Sequence, residues 1–235
     1  MKFKSFVFAL CWIGLALPVA ADVTGSGELG LLFSTGNSET ETFNSALNLT
    51  WEEGPWLNES TATFVYGRDD GTTNSNRFVA ANRTNYSFND RSYFYGALRY
   101  DRDRFSAFSY QGTLSLGAGH RLIDSERHQL SVEAGPGFRV AERRDTNETE
   151  NEAILRGLAD YTWVISESTE LTNRLLIEAG ADNTFAENIL GLTVAINTRL
   201  ALKAGVSVRH NTDVDPGREK TDTLTTMNLV YNFGE

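Results

Sequence analysis

The sequence predicts an all-β chain, a 12-stranded antiparallel up-and-down transmembrane β-barrel, on three observations. Polar and apolar residues alternate with period 2 almost throughout. The charged residues of each candidate strand share one parity. After the first 21 residues no apolar run approaches the ~20 that a spanning helix needs.

The first segment is of another kind. Lys2 and Lys4 precede an apolar run from Phe6 to Leu17, and Pro18-Val19-Ala20-Ala21 offers small residues for a cut before Asp22. That three-part pattern predicts a cleaved signal peptide over 1–21 and a barrel domain over 22–235. Cys11 is the only cysteine and lies in the leader. The bulky Leu10 before it does not suit a lipoprotein signal. The mature chain is therefore expected to have no disulfide and no thiolate chemistry.

Marking every alternating run gives twelve strands, at about 22–34, 42–52, 57–67, 77–88, 92–101, 109–121, 129–141, 152–165, 171–182, 188–197, 200–210 and 221–233. Tight connections such as Glu53-Gly54-Pro55-Trp56 and Asn89-Asp90-Arg91 alternate with longer ones near 35–41, 68–76, 102–108, 142–151, 183–187 and 211–220. An up-and-down meander with its two ends in different compartments gives that alternation. Each run reaches the ~9–11 residues that cross an outer membrane.

Parity then assigns the two faces. Arg99 with Asp101, Glu133 with Arg139, Glu152 with Arg156 and Asp160, Arg174 with Glu178, and Lys203 with Arg209 each share a side, opposite an apolar one. A lumen lined by Glu28, Glu59, Glu133, Glu152, Asp160, Glu178 and Asp222, with Arg83, Arg99, Arg121, Arg139, Arg156, Arg174, Lys203 and Arg209, follows. Its charge is mixed, so it reads as a narrow pore for ions or small polar solutes, or as a salt-bridged filling. Tyr93 and Tyr95 share the lumen parity and would narrow it.

Aromatic residues fall near strand ends on the other parity. Trp51, Phe88, Phe94, Trp163, Tyr231 and Phe233 mark the tight-turn side; Phe33, Phe43, Tyr66, Phe78, Tyr100, Tyr110 and Phe138 mark the other. Two such girdles match two membrane interfaces, whereas a soluble β-sandwich buries its apolar face and needs no belts. Asn82 and Thr84 are polar residues on the expected lipid face.

Composition excludes several functions. The net charge of −10 becomes more negative when Lys2 and Lys4 leave, which excludes a basic nucleic-acid surface. The chain is 40% hydrophobic and 11% aromatic, too apolar for a disordered acidic tail. No phosphate-binding glycine loop is present, and His120, His128 and His210 lack metal-ligand spacing. His120 beside Ser92 is the one pairing from which a lipid hydrolase could be imagined. The expectation is no enzyme, no catalytic residue, no cofactor and no metal. Asn-X-Ser/Thr triplets such as those at Asn48, Asn58, Asn82 and Asn147 are read as chance. The longer loops carry Glu39, Glu41, Asp69, Asp70, Asp101, Asp103, Glu142 to Glu150, Asp213 and Asp215. They suggest an acidic rim that could bridge divalent cations to lipopolysaccharide phosphates.

The stretches Gly25-Ser26-Gly27-Glu28-Leu29-Gly30-Leu31-Leu32-Phe33-Ser34-Thr35-Gly36-Asn37, Phe94-Tyr95-Gly96-Ala97-Leu98-Arg99-Tyr100-Asp101-Arg102-Asp103, Glu133-Ala134-Gly135-Pro136-Gly137-Phe138 and Asn228-Leu229-Val230-Tyr231-Asn232-Phe233 resemble the YdiY-like family. That family is described as salt-induced outer-membrane proteins of unknown function. The resemblance covers the mature chain and implies an integral bacterial outer-membrane barrel, with a hint of a role in salt or osmotic stress. It implies outer-membrane lipid and lipopolysaccharide as surroundings, and recognition of the C-terminal strand by the barrel-assembly machinery. Gly234-Glu235 follow Phe233 here, where such barrels usually finish on the aromatic.

Overall fold

A computed structural model describes residues 23–34, 40–214 and 217–234. The leader expected over 1–21 lies outside them. The twelve strands are β1 (Val23–Ser34), β2 (Thr40–Glu53), β3 (Trp56–Asp69), β4 (Thr72–Ser87), β5 (Ser92–Asp103), β6 (Phe108–Asp124), β7 (His128–Arg143), β8 (Thr149–Ser166), β9 (Thr169–Gly180), β10 (Thr184–Ala195), β11 (Leu200–Asn211) and β12 (Thr221–Phe233). Each pairs antiparallel with its chain neighbours, and β1 pairs with β12 to close the ring. The fold is the closed 12-stranded antiparallel barrel that the alternation predicts. No helix among the described residues is long and apolar enough to cross a membrane.

The strands run past the predicted ends, and this corrects the loop pattern. The connection expected over 68–76 is a two-residue turn, because Asp70 and Gly71 both take positive φ, at 45° and 76°. An Asp-Gly pair suits the mirror-image turn that joins twisted strands tightly. The connection expected over 183–187 likewise belongs mostly to β10, which starts at Thr184. The connection from β11 to β12 is described over 212–214 and 217–220. We call its end of the barrel the loop end, and the opposite end, where β1 begins and β12 finishes, the termini end.

Side chains alternate faces as expected. Leu29, Leu31, Leu98, Leu114, Leu116, Phe138, Leu155, Leu202, Met227 and Leu229 point outward and are exposed in the isolated molecule. Aromatic pairs sit at the termini end of that outer wall. Phe88 packs on Phe94 at 4.9 Å, and Trp56, which the sequence reading had left in a turn, packs on Tyr86 at 4.8 Å. Trp163 stacks with His128 at 5.8 Å. Tyr231 is exposed, whereas Trp51 is only partly so. The polar outward residues Asn82 and Thr84 are not isolated. Asn58 donates to Thr84 Oγ1 at 2.7 Å, and Asn82 donates to Ser60 Oγ at 2.8 Å.

Inside, glycines make room for the two tyrosines. A Cβ at Gly119 would strike the Tyr93 ring, and one at Gly117 would strike Tyr95 and the Ala134 carbonyl. Both tyrosines are buried as a result. The closing seam is the shortest pairing, from Gly25–Phe233 to Leu29–Leu229. Phe233 covers Gly25 on the outer face. On the inner face Glu28 of β1 accepts from Lys203 Nζ of β11 at 2.7 Å, Asn228 Nδ2 of β12 at 2.8 Å and Asn48 Nδ2 of β2 at 3.3 Å. Asn44 of β2 also donates to Asn228, passing over Gly30. One carboxylate thus ties three strands to β1. Glu28→Ala should cost about 2 kcal/mol or more by leaving Lys203 and the Asn228 amide without their acceptor. Urea unfolding of the refolded barrel checks this; an unchanged midpoint would remove Glu28 from the closure.

Candidate functional site

The lumen gathers the ionisable residues into three groups. In the loop half, Asp101 of β5 accepts from Arg77 of β4 at 3.0 Å, Arg99 of β5 at 2.9 Å and Arg209 of β11 at 2.8 Å. Arg77 also reaches Glu187 of β10 at 3.2 Å, and Arg209 reaches Asp103 at 3.1 Å. In a ring of twelve strands, β4 lies opposite β10 and β5 lies opposite β11. The Arg77–Glu187 and Arg209–Asp101 pairs therefore span the barrel from wall to wall. Phe185, 1% exposed, lies beneath the arginines, 4.6 Å from Arg99 and 5.5 Å from Arg209, and packs on Leu158 and Leu176. A guanidinium over a ring face adds attraction that also fixes the cation in place.

The second group lies toward the termini end. Glu133 accepts from Arg83 and Arg156, each at 2.8 Å, and from the Tyr93 hydroxyl at 3.1 Å. Arg83 also binds Glu59 and, at 3.1 Å, Asp160, which in turn accepts from Arg174 at 2.6 Å. Arg156 covers the Tyr95 ring at 4.7 Å. The third group, around Glu28 and Lys203, clamps the seam. Near the loop end Arg139 pairs with Glu152 and donates to the Asn183 carbonyl.

Most residues predicted for the lumen do face it. Glu28, Glu59, Arg83, Arg99, Glu133, Arg139, Glu152, Arg156, Asp160, Arg174, Lys203 and Arg209 all enter ion pairs there. Glu178 is buried, across the register from Arg156. Asp222 stands apart from these groups, exposed at the loop end where the last strand outruns its partner. Arg121 lies over the Tyr93 ring at 5.5 Å and donates to the Asp90 carbonyl at the opposite rim. The sequence reading missed Arg77 and Glu187. Glu187 had been placed in a connection, and Arg77 stood first in its predicted strand, where parity is least constrained. Asp101 and Asp103, counted among acidic loops, turn inward to Arg209. Among the described residues no group of three or more acidic, histidine or cysteine side chains is arranged to hold a metal ion.

Between the groups lies a chamber of about 490 Å³. Asn44, Thr61, Thr63, Asn228, Arg83, Asp160 and Arg174 are among the residues that line it. It ends at Arg77, Arg99 and Glu187. A second space of about 450 Å³ shares Glu28, Asn48 and Lys203 with it and reaches Ser166, Glu167 and Asn232 at the termini end. A vestibule thus leads inward from that end and stops at the wall-to-wall ion pairs.

A family profile described as "Protein of unknown function, DUF481" matches residues 27–233. The chain belongs to that family. DUF481 contains the YdiY-like outer-membrane proteins, so the resemblance seen in the sequence holds. No curated protein matches this member of DUF481. Among solved structures, the NanC porin gives a TM-score of 0.54 over 89% of this chain and 98% of its own, at 8% identity. An outer membrane channel from Pseudomonas putida F1 gives 0.54 over 93% and 97%, at 10% identity. The translocator domain of the autotransporter NalP from Neisseria meningitidis gives 0.50 over 90% and 88%, at 13% identity. At such identities the likeness is one of fold, and the shared fold is that of outer-membrane barrels.

Asp101 is the shared acceptor of three guanidiniums, so its loss leaves like charges facing one another. Asp101→Ala should cost about 3 kcal/mol or more, and adding Arg209→Ala should recover part of that. A double-mutant cycle on unfolding midpoints should give a coupling of at least about 1 kcal/mol. Strict additivity would contradict the assignment.

Proposed function

We propose that this DUF481 member is an integral outer-membrane barrel that is closed to solutes in the state described. The observation that carries the reading is the pair of ion contacts, Arg77–Glu187 and Arg209–Asp101, that join opposite walls. A solute crossing the barrel has to part them. Away from bulk water the attraction between such charges is strong, and separating them leaves each one poorly solvated. The salt-bridged lumen is thus favoured over the freely open pore. A wall tied across its own lumen suits a protein that supports the envelope under osmotic load. The outward aromatic pairs and the exposed Tyr231 support placement in a membrane. The C-terminal strand ending at Phe233 is what the assembly machinery would engage.

A second reading, a gated passage for small ions, is favoured by the vestibule that reaches the ion pairs from the termini end. An enzymatic role has little support. Ser92 Oγ does lie 2.9 Å from His120 Nδ1, as the sequence allowed. The same contact recurs at His210 with Thr221 and at His128 with Tyr161, each at 2.9 Å. Repetition at three cross-strand positions reads as a way of satisfying histidines at strand ends.

Planar-bilayer recording separates the readings. The refolded wild-type barrel should be silent, and the Asp101→Ala/Glu187→Ala barrel should give stable steps. Steady conductance from the wild type would overturn the closed state.

A further inference from the structure

The ion pairs of the lumen balance with one carboxylate left over. In the loop half Arg77, Arg99 and Arg209 are matched by Asp101, Asp103 and Glu187. Toward the termini end Arg83, Arg156 and Arg174 are matched by Glu59, Glu133 and Asp160. Lys203 is matched by Glu28, and Arg139 by Glu152. Glu178 of β9 turns inward as well and is 2% exposed. Among the described residues no hydrogen bond or ion pair reaches its carboxylate. Arg156, its neighbour across the register, is drawn away to Glu133 at 2.8 Å and lies over the Tyr95 ring.

A buried carboxylate without a partner is costly, because it has left water and gained no opposite charge. Glu178 is on the wall of the chamber of about 490 Å³, which the vestibule joins to the termini end. The surrounding wall decides what kind of cation fits. Leu158 and Leu176, both buried, line the same chamber, and so does Val79. Thr113 and Ser115 of β6 bring hydroxyls to it. A single carboxylate offers a metal ion far fewer oxygens than its coordination asks for. An organic ammonium asks for less. One carboxylate answers its charge, hydroxyls accept from its remaining N–H groups, and apolar side chains cover its carbons.

We propose that the chamber binds a small organic ammonium ion, with Glu178 supplying the countercharge. Entry from the termini side rests on the closed-lumen reading, whereas the site itself needs only the folded barrel. A conducting wild type would overturn the closed lumen and leave binding at Glu178 to be measured as before.

The test is calorimetric titration of the refolded barrel, in maltoside micelles and sodium chloride buffer, with butylammonium, butyrate and n-butanol. Butylammonium should saturate, and should bind at least about tenfold more tightly than the anionic or the neutral analogue. Glu178→Gln should lose about tenfold of that affinity. The variant should still migrate as a heat-modifiable barrel, with a urea midpoint no lower than the wild type's, because the amide removes an unpaired buried charge. Butylammonium should raise the midpoint of the wild type and leave that of Glu178→Gln where it was. Equal binding of the three probes, equal competition by potassium, or unchanged affinity in Glu178→Gln overturns the proposal. A lowered midpoint in Glu178→Gln overturns it too, by showing that the protein itself supplies the carboxylate's partner.

Discussion

Charges carried to the axis of a closed sheet have to neutralise one another, and this barrel is arranged around that requirement. Closing twelve strands into a ring turns one face of every strand inward, so an arginine on β4 meets a carboxylate of β10. Neither can be removed alone without leaving the other in a confined space, where an unmatched charge is costly. Phe185 beneath the guanidiniums and the glycines beneath Tyr93 and Tyr95 then follow as packing solutions. They bring long side chains to the axis, Phe185 under the loop-half guanidiniums and the two tyrosines against Glu133 and Arg156 in the termini half. In the termini half the Arg83–Asp160 pair spans β4 to β8, and a chamber stays open beside it.

The same logic governs closure. The β1–β12 seam has the shortest ladder, and it is reinforced where the lumen permits, by Glu28 and the Asn44–Asn228 contact. The outer wall meets a different demand. Its apolar side chains suit hydrocarbon, and its few amides and hydroxyls satisfy each other, as Asn58, Ser60, Asn82 and Thr84 do. Reciprocal bonds between Asn173 and Asn188 do the same on β9 and β10.

Parity was legible in the sequence because it is a local property: a side chain two residues on returns to the same face whatever the rest of the chain does. Hence all twelve strands and most of the lumen were read from residues alone. The partners were not legible. Arg77 meets Glu187 only because the ring brings strands six places apart to face each other, and nothing local announces a partner 110 positions along the chain. Loop lengths failed for a nearer reason. Asp70-Gly71 is a strong tight-turn signal, but the polar residues around it looked like loop, and polar residues suit strands that project beyond a membrane. Glu187 was lost the same way, its strand read as starting one residue after it. Asp222 errs in the other direction: its parity is right for the lumen, yet it stands beyond the point where β12 is paired on both sides.

The central claim is that wall-to-wall ion pairs seal the loop half and leave the termini half open. A single cysteine tests it most directly. With Cys11 replaced by Ser, Thr61→Cys would place the lone thiol on the chamber wall. In oriented proteoliposomes an impermeant thiol reagent should label it from the termini side and not from the loop side. Equal labelling from both sides would show that the ion pairs do not close the lumen.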